Sequence, residues 1–150
     1  MNSRWTPHAT VATLIEHDGL FLMVEEIAEL GTAVINQPAG HIEEGESVAA
    51  AALRETREET GWDVRIDALL GIYIYPAPNG ITYHRYCIIA TALAPVANAV
   101  LDKGIIGPRW ISLEELRRST QLRSPMVLRC VEDYVAGKRY PLELITEYRA

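Results

Sequence analysis

The stretch that decides the fold of this chain is GHIEEGESVAAAALRETREETGW, residues 40–62. Within it, residues 46–60 are rich in Ala, Glu and Arg and contain neither Pro nor Gly, so they predict an α-helix. Gly61 follows directly, and glycine is the residue that most often ends a helix in the left-handed conformation. The segment therefore predicts one helix that ends at Gly61.

Helical periodicity divides this segment into two arcs. At roughly 100° per residue, small and apolar side chains share the first arc, namely Ala49, Ala52, Leu53, Thr56 and Thr60. Glu55, Glu58 and Glu59 share a second arc, where residues three and four apart are neighbours and like charges repel. Glu58 and Glu59 also lie near the C-terminal end of the helix, whose dipole disfavours anions. This unfavourable placement of negative charge is typical of a functional site.

A hard divalent cation would convert the repulsion among these glutamates into attraction. Carboxylate ligands without His or Cys favour Mg²⁺ or Mn²⁺ over zinc, and Mg²⁺ commonly bridges protein carboxylates to substrate phosphates. The alternative is a solvated acidic helix face, in which Arg54 and Arg57 relieve the repulsion as ordinary ion pairs. The spacing alone leaves both interpretations open.

The complete pattern over residues 40–62 resembles the Nudix box, the signature of the Nudix hydrolase family. The fixed positions of that signature are all matched, by Gly40, Glu46, Arg54, Glu55, Glu58, Glu59 and Gly61. The two bulky apolar positions hold Thr56, a mild departure, and Trp62. Outside the box, residues 36–41, 122–125 and 139–143 are similar to a group of bacterial phosphatases in the family. The resemblance covers nearly the whole chain.

The resemblance implies a reaction and a set of residues. The reaction is the Mg²⁺-dependent attack of water on phosphorus in a diphosphate-containing substrate, with Mn²⁺ as a substitute metal. The implied metal ligands are Glu55, Glu58, Glu59 and the backbone carbonyl of Ala39. Arg54 would orient the ligand carboxylates without binding the metal itself. Glu46 would cap the helix or form an ion pair at the junction between loop and helix.

The general base is the point at which this chain departs from its relatives. Many of them carry an acidic residue in the loop before the strand that holds Arg109, but this chain has Ile106 at the corresponding position. Asp102 is acidic but lies farther from that strand. The role of base therefore falls to Glu55 or Glu58, or to hydroxide generated at the metal.

Aromatic and basic residues later in the chain are candidates for binding the substrate. Tyr75 lies with Tyr73 on a predicted strand, whose alternation can bring several rings to one face for stacking on a nucleobase or pyrimidine. Arg85 and Arg123 are candidates for clamping a terminal phosphate. The alternative of half-buried tyrosines and surface arginines stays open. Ile35 stands where relatives often have Trp, so one stacking platform is missing.

The other predicted elements surround the helix with strands. Short apolar or β-branched runs predict strands over residues 9–15, 20–24, 33–36, 64–75, 81–93 and 109–111. Asp18-Gly19 joins the first two as a hairpin. Ser112 opens a short helix, and Ser124-Pro125 opens another that continues to about residue 136. Together these elements predict an α+β fold with a mixed sheet flanked by helices. The resemblance implies the Nudix-type α/β/α sandwich, as a single domain over residues 1–150.

Charge and cysteine content exclude several classes of function. A net charge of −6 argues against binding to duplex nucleic acid, which needs a basic face. Cys87 and Cys130 stand alone and predict reduced thiols in a cytoplasmic protein.

No apolar run approaches the roughly 20 residues that span a bilayer, and the first residues lack the apolar core of a secretory signal. We therefore expect a cytoplasmic protein without a membrane segment.

The expected substrate is a small molecule that contains a diphosphate. The similar bacterial phosphatases imply release of phosphate from nucleoside tri- and diphosphates, and from hydroxymethylpyrimidine diphosphate and thiamine diphosphate. A pyrophosphohydrolase acting on a nucleotide sugar, a dinucleotide or a capped RNA end is an alternative. A nucleotide-sensing domain without catalysis is a third interpretation. A monomer and a homodimer are both compatible with the sequence.

Overall fold

The chain forms a mixed β-sheet with helices on both faces, and the computed structural model describes residues 3–148. The strands are β1 (His8–His17), β2 (Leu20–Ile27), β3 (Ala33–Asn36), β4 (Ala39–His41), β5 (Trp62–Pro76), β6 (Thr82–Pro95) and β7 (Ile105–Ser112). The helices are α1 (Val48–Thr60), α2 (Leu113–Arg118) and α3 (Pro125–Val135), with a 3₁₀ turn at Leu142–Leu144. All the predicted strands and helices are present. The sequence missed β4 and the 3₁₀ turn, which are too short for a periodic pattern.

Helix α1 begins later than predicted. Ser47 is its N-cap, with extended backbone and a side-chain oxygen that accepts a hydrogen bond from the Ala50 N–H. The predicted start at Glu46 was therefore two residues early, because Glu46 belongs to the preceding turn and its N–H donates to the Glu43 carbonyl. Gly61 ends the helix at φ 71°, as predicted.

The buried face of α1 is also rotated from the predicted apolar arc. Ala52, Thr56 and Thr60 are buried as expected, but Leu53 is 42% exposed and Ala49 is only half-buried. Glu59 is buried in place of these two. Of the three glutamates on the second arc, Glu59 therefore lies on the face of α1 that packs against the sheet.

The sheet has the strand order β3-β2-β1-β6-β5, with β4 paired to β1 and β7 paired to β2. β1 and β6 are parallel, and the other pairs are antiparallel. β1 pairs with β2 only near the connecting turn, through Glu16 with Phe21 and His17 with Leu20. At the start of β1 its partner is instead β4, so the two strands of this hairpin diverge. The divergence creates the opening in which the candidate site lies.

Two helices pack on opposite faces of the sheet. On one face, Val48, Ala51 and Ala52 of α1 pack with Val11, Leu69 and Ile88. On the other face, Val127, Cys130 and Val131 of α3 pack with Ala12, Leu14 and Cys87. The two thiols are free and buried, as predicted for reduced cysteines. This arrangement confirms the α+β fold with helices on two sides of a mixed sheet. Among the described residues, no helix is both long and apolar enough to cross a bilayer.

The cap of α1 gives a test of its local stability. We expect Ser47→Ala to lower the free energy of unfolding by about 1 kcal/mol, because the Ala50 N–H loses its acceptor. Ser47→Asp is the matched control, since its carboxylate keeps an acceptor at the same position. Urea denaturation of the three proteins measures the difference, and equal stability of the Ala and Asp variants would contradict the capping role.

Candidate active site

A cleft of about 730 Å³ opens where β1 and β2 diverge. Strands β1 to β4 line the cleft through residues that include Thr10, Glu26, Asn36, Ala39 and Gly40. Strands β5 and β6 and the segment before α3 also line it, and they contribute all three predicted substrate-binding residues, Tyr75, Arg85 and Arg123. The structure therefore brings these three residues together in one cleft.

The predicted metal ligands meet the cleft wall at β4. Glu59 accepts a hydrogen bond from the Ala39 N–H at 2.7 Å through its Oε1. Glu55 packs directly against Gly40, because a Cβ at that position would lie 2.2 Å from the Glu55 carboxyl carbon. Any larger residue at position 40 would collide with this carboxylate. Helix α1 and the cleft thus share the backbone of Ala39 and Gly40 as their boundary.

Arg54 forms hydrogen bonds to two of the three clustered glutamates of α1, Glu55 and Glu58, and to Glu46 in the turn before the helix. Its Nε and Nη2 donate to the two oxygens of Glu46, at 2.6 and 2.9 Å. Its Nη1 donates to Glu55 at 2.8 Å and to Glu58 at 3.2 Å. Nη2 also reaches the His41 carbonyl, at 3.1 Å. One guanidinium therefore ties the turn before α1, the helix and the end of β4 together. Its hydrogen bonds outweigh burial and lower the pKa of Glu46.

Two acidic groups of the site, Glu55 and Glu59, are largely buried. Burial raises the pKa of Glu59 to about 8, and the negative charges of Glu26, Glu55 and Asp102 add to this rise while the Ala39 N–H opposes it. Burial also raises the pKa of Glu55, against the opposing effect of Arg54. A cation placed among these carboxylates would relieve both the burial of charge and the mutual repulsion.

The oxygen-only donor set suits a hard divalent cation. Glu55, Glu58 and Glu59 offer carboxylates, with no His or Cys among the proposed ligands. Within residues 3–148, no three Asp, Glu, His or Cys side chains form a group that already surrounds a metal position. Mg²⁺ usually binds through one or two carboxylates together with water and substrate phosphates, so an open, partial ligand set fits its preferences.

The structure adds two acidic residues that sequence reasoning did not assign. Glu26, near the end of β2, accepts hydrogen bonds from Asn36 at 3.2 Å and Arg123 at 3.0 Å. The Asp102 N–H donates to the Glu58 carbonyl at 3.0 Å, which brings the loop before β7 onto the C-terminal end of α1. Asp102 is farther than Ile106 from Arg109 along the chain, but this fold-back brings it near α1, and its negative charge contributes to the raised pKa of Glu59. In the sequence, Glu26 is the second of two glutamates that follow the apolar run 20–24, and nothing in that run distinguishes it from Glu25.

The predicted substrate residues differ in their surroundings. Arg123 forms an ion pair with Glu26, whereas Arg85 is only 9% exposed and burial lowers its pKa. Tyr73 does not line the cleft, because its hydroxyl donates to Asp133 of α3 at 2.8 Å. Of the two tyrosines considered on this strand, Tyr75 is therefore the one that faces the cleft.

Comparison with known proteins identifies the family. The family model of the NUDIX domain matches residues 5–130. Phosphatase NudJ of Escherichia coli (strain K12) is 37% identical over 142 residues, which are 95% of this chain and 92% of that protein. A solved structure, the NUDIX hydrolase from Nitrosomonas europaea, has a TM-score of 0.92 and 42% identity and covers 95% of this chain and 98% of its own. The crystal structure of UDP-X diphosphatase shares the fold, with a TM-score of 0.74 at 18% identity over 93% of this chain and 68% of its own. This chain therefore belongs to the Nudix hydrolase family and is a hydrolase of phosphoanhydride bonds.

Proposed function

We propose that this chain is a Mg²⁺-dependent phosphatase that releases phosphate from nucleoside tri- and diphosphates. The proposal includes thiamine-pathway substrates, namely hydroxymethylpyrimidine diphosphate and thiamine diphosphate. The observation that carries it is the meeting, at Ala39 and Gly40, of a carboxylate-bearing helix with a cleft lined by two arginines. The 37% identity to Phosphatase NudJ supports the choice of a phosphatase.

The proposed metal is Mg²⁺, with Mn²⁺ able to substitute, since Nudix hydrolases in general use divalent metals. The residues that would hold it are Glu55, Glu58, Glu59 and the backbone carbonyl of Ala39. When bound, the metal supplies neutralisation of phosphate charge and polarisation of a phosphoryl oxygen. Arg54 orients the ligands, because its hydrogen bonds already hold Glu55 and Glu58.

The chain's own residues supply positioning and proton transfer. Phosphoryl transfer depends mainly on in-line alignment and charge stabilisation, so the clamps on the substrate contribute much of the catalysis. We propose that Arg85 and Arg123 hold the phosphates and that Tyr75 stacks on the ring of the leaving group. Glu55 or Glu58 takes the proton of the attacking water, since Ile106 has no group able to accept one.

The proposal also includes the cellular compartment, the domain organisation and the oligomeric state of the enzyme. Free, buried Cys87 and Cys130 suit a cytoplasmic protein in which thiols stay reduced. We propose a single Nudix domain over residues 1–150, acting as a monomer or homodimer on a small-molecule substrate.

Product analysis tests the proposed function directly. We expect orthophosphate as the sole inorganic product from nucleoside diphosphates, hydroxymethylpyrimidine diphosphate and thiamine diphosphate in the presence of Mg²⁺. Separate assays for orthophosphate and pyrophosphate on this panel measure it, with a nucleotide sugar and a dinucleotide as comparison substrates. Pyrophosphate or a nucleoside monophosphate formed in one step would favour a Nudix pyrophosphohydrolase instead.

The metal-ligand assignment is tested by Glu59→Gln. We expect turnover with Mg²⁺ to fall by at least about 100-fold, the loss that follows removal of a main electrostatic stabiliser. Glu114→Gln is the matched control, because Glu114 is an exposed residue of α2 that pairs with Arg118. Near-normal turnover of the Glu59 variant would contradict the assignment, and a similar loss in the Glu114 variant would indicate a general effect of the substitution.

The position of the general base is tested by Ile106→Asp. Ile106 is 54% exposed in β7, so the substitution is compatible with folding. We expect the rate near neutral pH to stay within about threefold of the original, because Glu55 or Glu58 already provides the base. Ile106→Asn controls for the change in shape and polarity. An acceleration of about tenfold or more in the Asp variant alone would assign the role of base to position 106 at the start of β7.

A further inference from the structure

Two polar side chains that line the cleft are buried without a hydrogen-bond partner. Arg85 is 9% exposed, and its Nε and Nη1 have no acceptor among residues 3–148. Thr10 is 4% exposed, and its hydroxyl likewise has no partner within the described part of the chain. Buried polar groups are nearly always hydrogen-bonded, because leaving one unpaired costs stability. Two such groups in one cleft therefore indicate a ligand that completes them.

Thr10 and Arg85 are direct neighbours in the sheet. They are Cα partners in the parallel pairing of β1 with β6, so their side chains project from the same face. Thr10 is also the register partner of His41 on β4, which lines the same cleft. Thr10 and Arg85 thus lie side by side in the lining of the cleft, next to the strand whose Ala39 contacts the acidic helix.

Arg85 differs from the other arginines near the site in having no carboxylate partner. Arg54 is paired with Glu46, Glu55 and Glu58, and Arg123 is paired with Glu26 at 3.0 Å. No carboxylate among residues 3–148 lies within ion-pair distance of Arg85. A buried cation without a counterion is unfavourable, so this position favours the arrival of an anion.

We propose that Thr10 and Arg85 form an anion subsite that holds the terminal phosphate of the substrate. The identity of the occupant rests on the proposed function. A guanidinium presents N–H donors in a planar fork that matches two oxygens of a phosphate, and the threonine hydroxyl donates to a third.

The subsite gives the cleft a basis for selecting its substrate. A terminal phosphate carries about −1.5 to −2 charges at pH 7, whereas a phosphate esterified on both sides carries one and has fewer free oxygens. A buried, unpaired guanidinium therefore favours nucleoside diphosphates and thiamine diphosphate over nucleotide sugars and dinucleotides, in which both phosphates are internal.

Binding of inorganic phosphate to the metal-free protein tests the subsite without relying on activity. We expect phosphate to raise the unfolding temperature of the original protein, since a ligand that binds only the native state stabilises it. Arg85→Met should weaken phosphate binding by at least about tenfold and Thr10→Val by about fivefold or more, as each removes donors to a charged group. Thr10→Ser should retain most of the binding, because it keeps the hydroxyl. Arg85→Lys keeps the charge but loses the planar fork, so its phosphate affinity should lie between those of the original protein and the Arg85→Met variant.

Arg117→Met is the matched control, because Arg117 is exposed on α2 and pairs with Glu132 away from the cleft. The unfolding temperature without phosphate verifies that each variant folds, and removal of an unpaired buried charge should leave the Arg85→Met protein folded. Unchanged phosphate affinity in both the Arg85→Met and Thr10→Val variants would overturn the proposal. An equal loss in the Arg117 variant would overturn it as well, by showing that phosphate binds to general surface charge.

The subsite and the proposed function fail in different ways. If the original protein releases orthophosphate while both variants bind phosphate normally, the subsite is wrong and the phosphatase proposal stands. If the original protein cleaves no diphosphate but loses phosphate binding on Thr10→Val and Arg85→Met, the subsite stands and the substrate assignment is wrong.

Discussion

The N–H of Ala39 donates a hydrogen bond to Glu59 at 2.7 Å. The next residue, Gly40, has no side chain, so the Glu55 carboxylate can pack directly against its backbone. These two contacts bring the acidic end of α1 against the wall of the cleft. The packing of one helix on a three-residue strand therefore determines whether a substrate in the cleft can reach the carboxylates.

The cost of this arrangement is electrostatic. Burial and neighbouring negative charges raise the pKa of Glu59 to about 8, and burial raises that of Glu55. Arg54 offsets part of the repulsion through its hydrogen bonds to Glu55 and Glu58, but it does not contact Glu59 in the described structure. Structural stability alone gives no reason to bury Glu59 here, so the unfavourable charge indicates a functional demand.

The carboxylates of α1 and the arginines of the cleft occupy neighbouring regions. Glu55 and Glu59 contact the β4 segment of Ala39 and Gly40, and Arg85 and Arg123 line the cleft that this segment borders. A substrate that carries several phosphates together with a divalent cation is complementary to both regions, since the cation meets the carboxylates and the phosphates meet the arginines. Since Arg123 is paired with Glu26, Arg85 is the cleft arginine that has no carboxylate partner among residues 3–148.

Some features of the site were predictable from local sequence, and others were not. The spacing of Glu55, Glu58 and Glu59 and the end of the helix at Gly61 follow from one segment of chain, and the family signature names the same residues. The buried face of α1 was predicted wrongly in part, because the apolar Leu53 is exposed while Glu59 is buried. Which arc of a helix becomes buried depends on the strands beside it, and hydrophobicity within the helix does not specify them.

Local sequence patterns specify the order of all the predicted strands and helices, the helix that carries the glutamates and the family signature. These are local properties, set by residue type and spacing within a few turns or along one strand. Three features of the site depend on long-range contacts instead: Thr10 lies beside Arg85, Glu26 pairs with Arg123, and the loop at Asp102 returns to the end of α1. The register between strands far apart in the chain brings these groups together, and that register arises from the packing of the whole sheet.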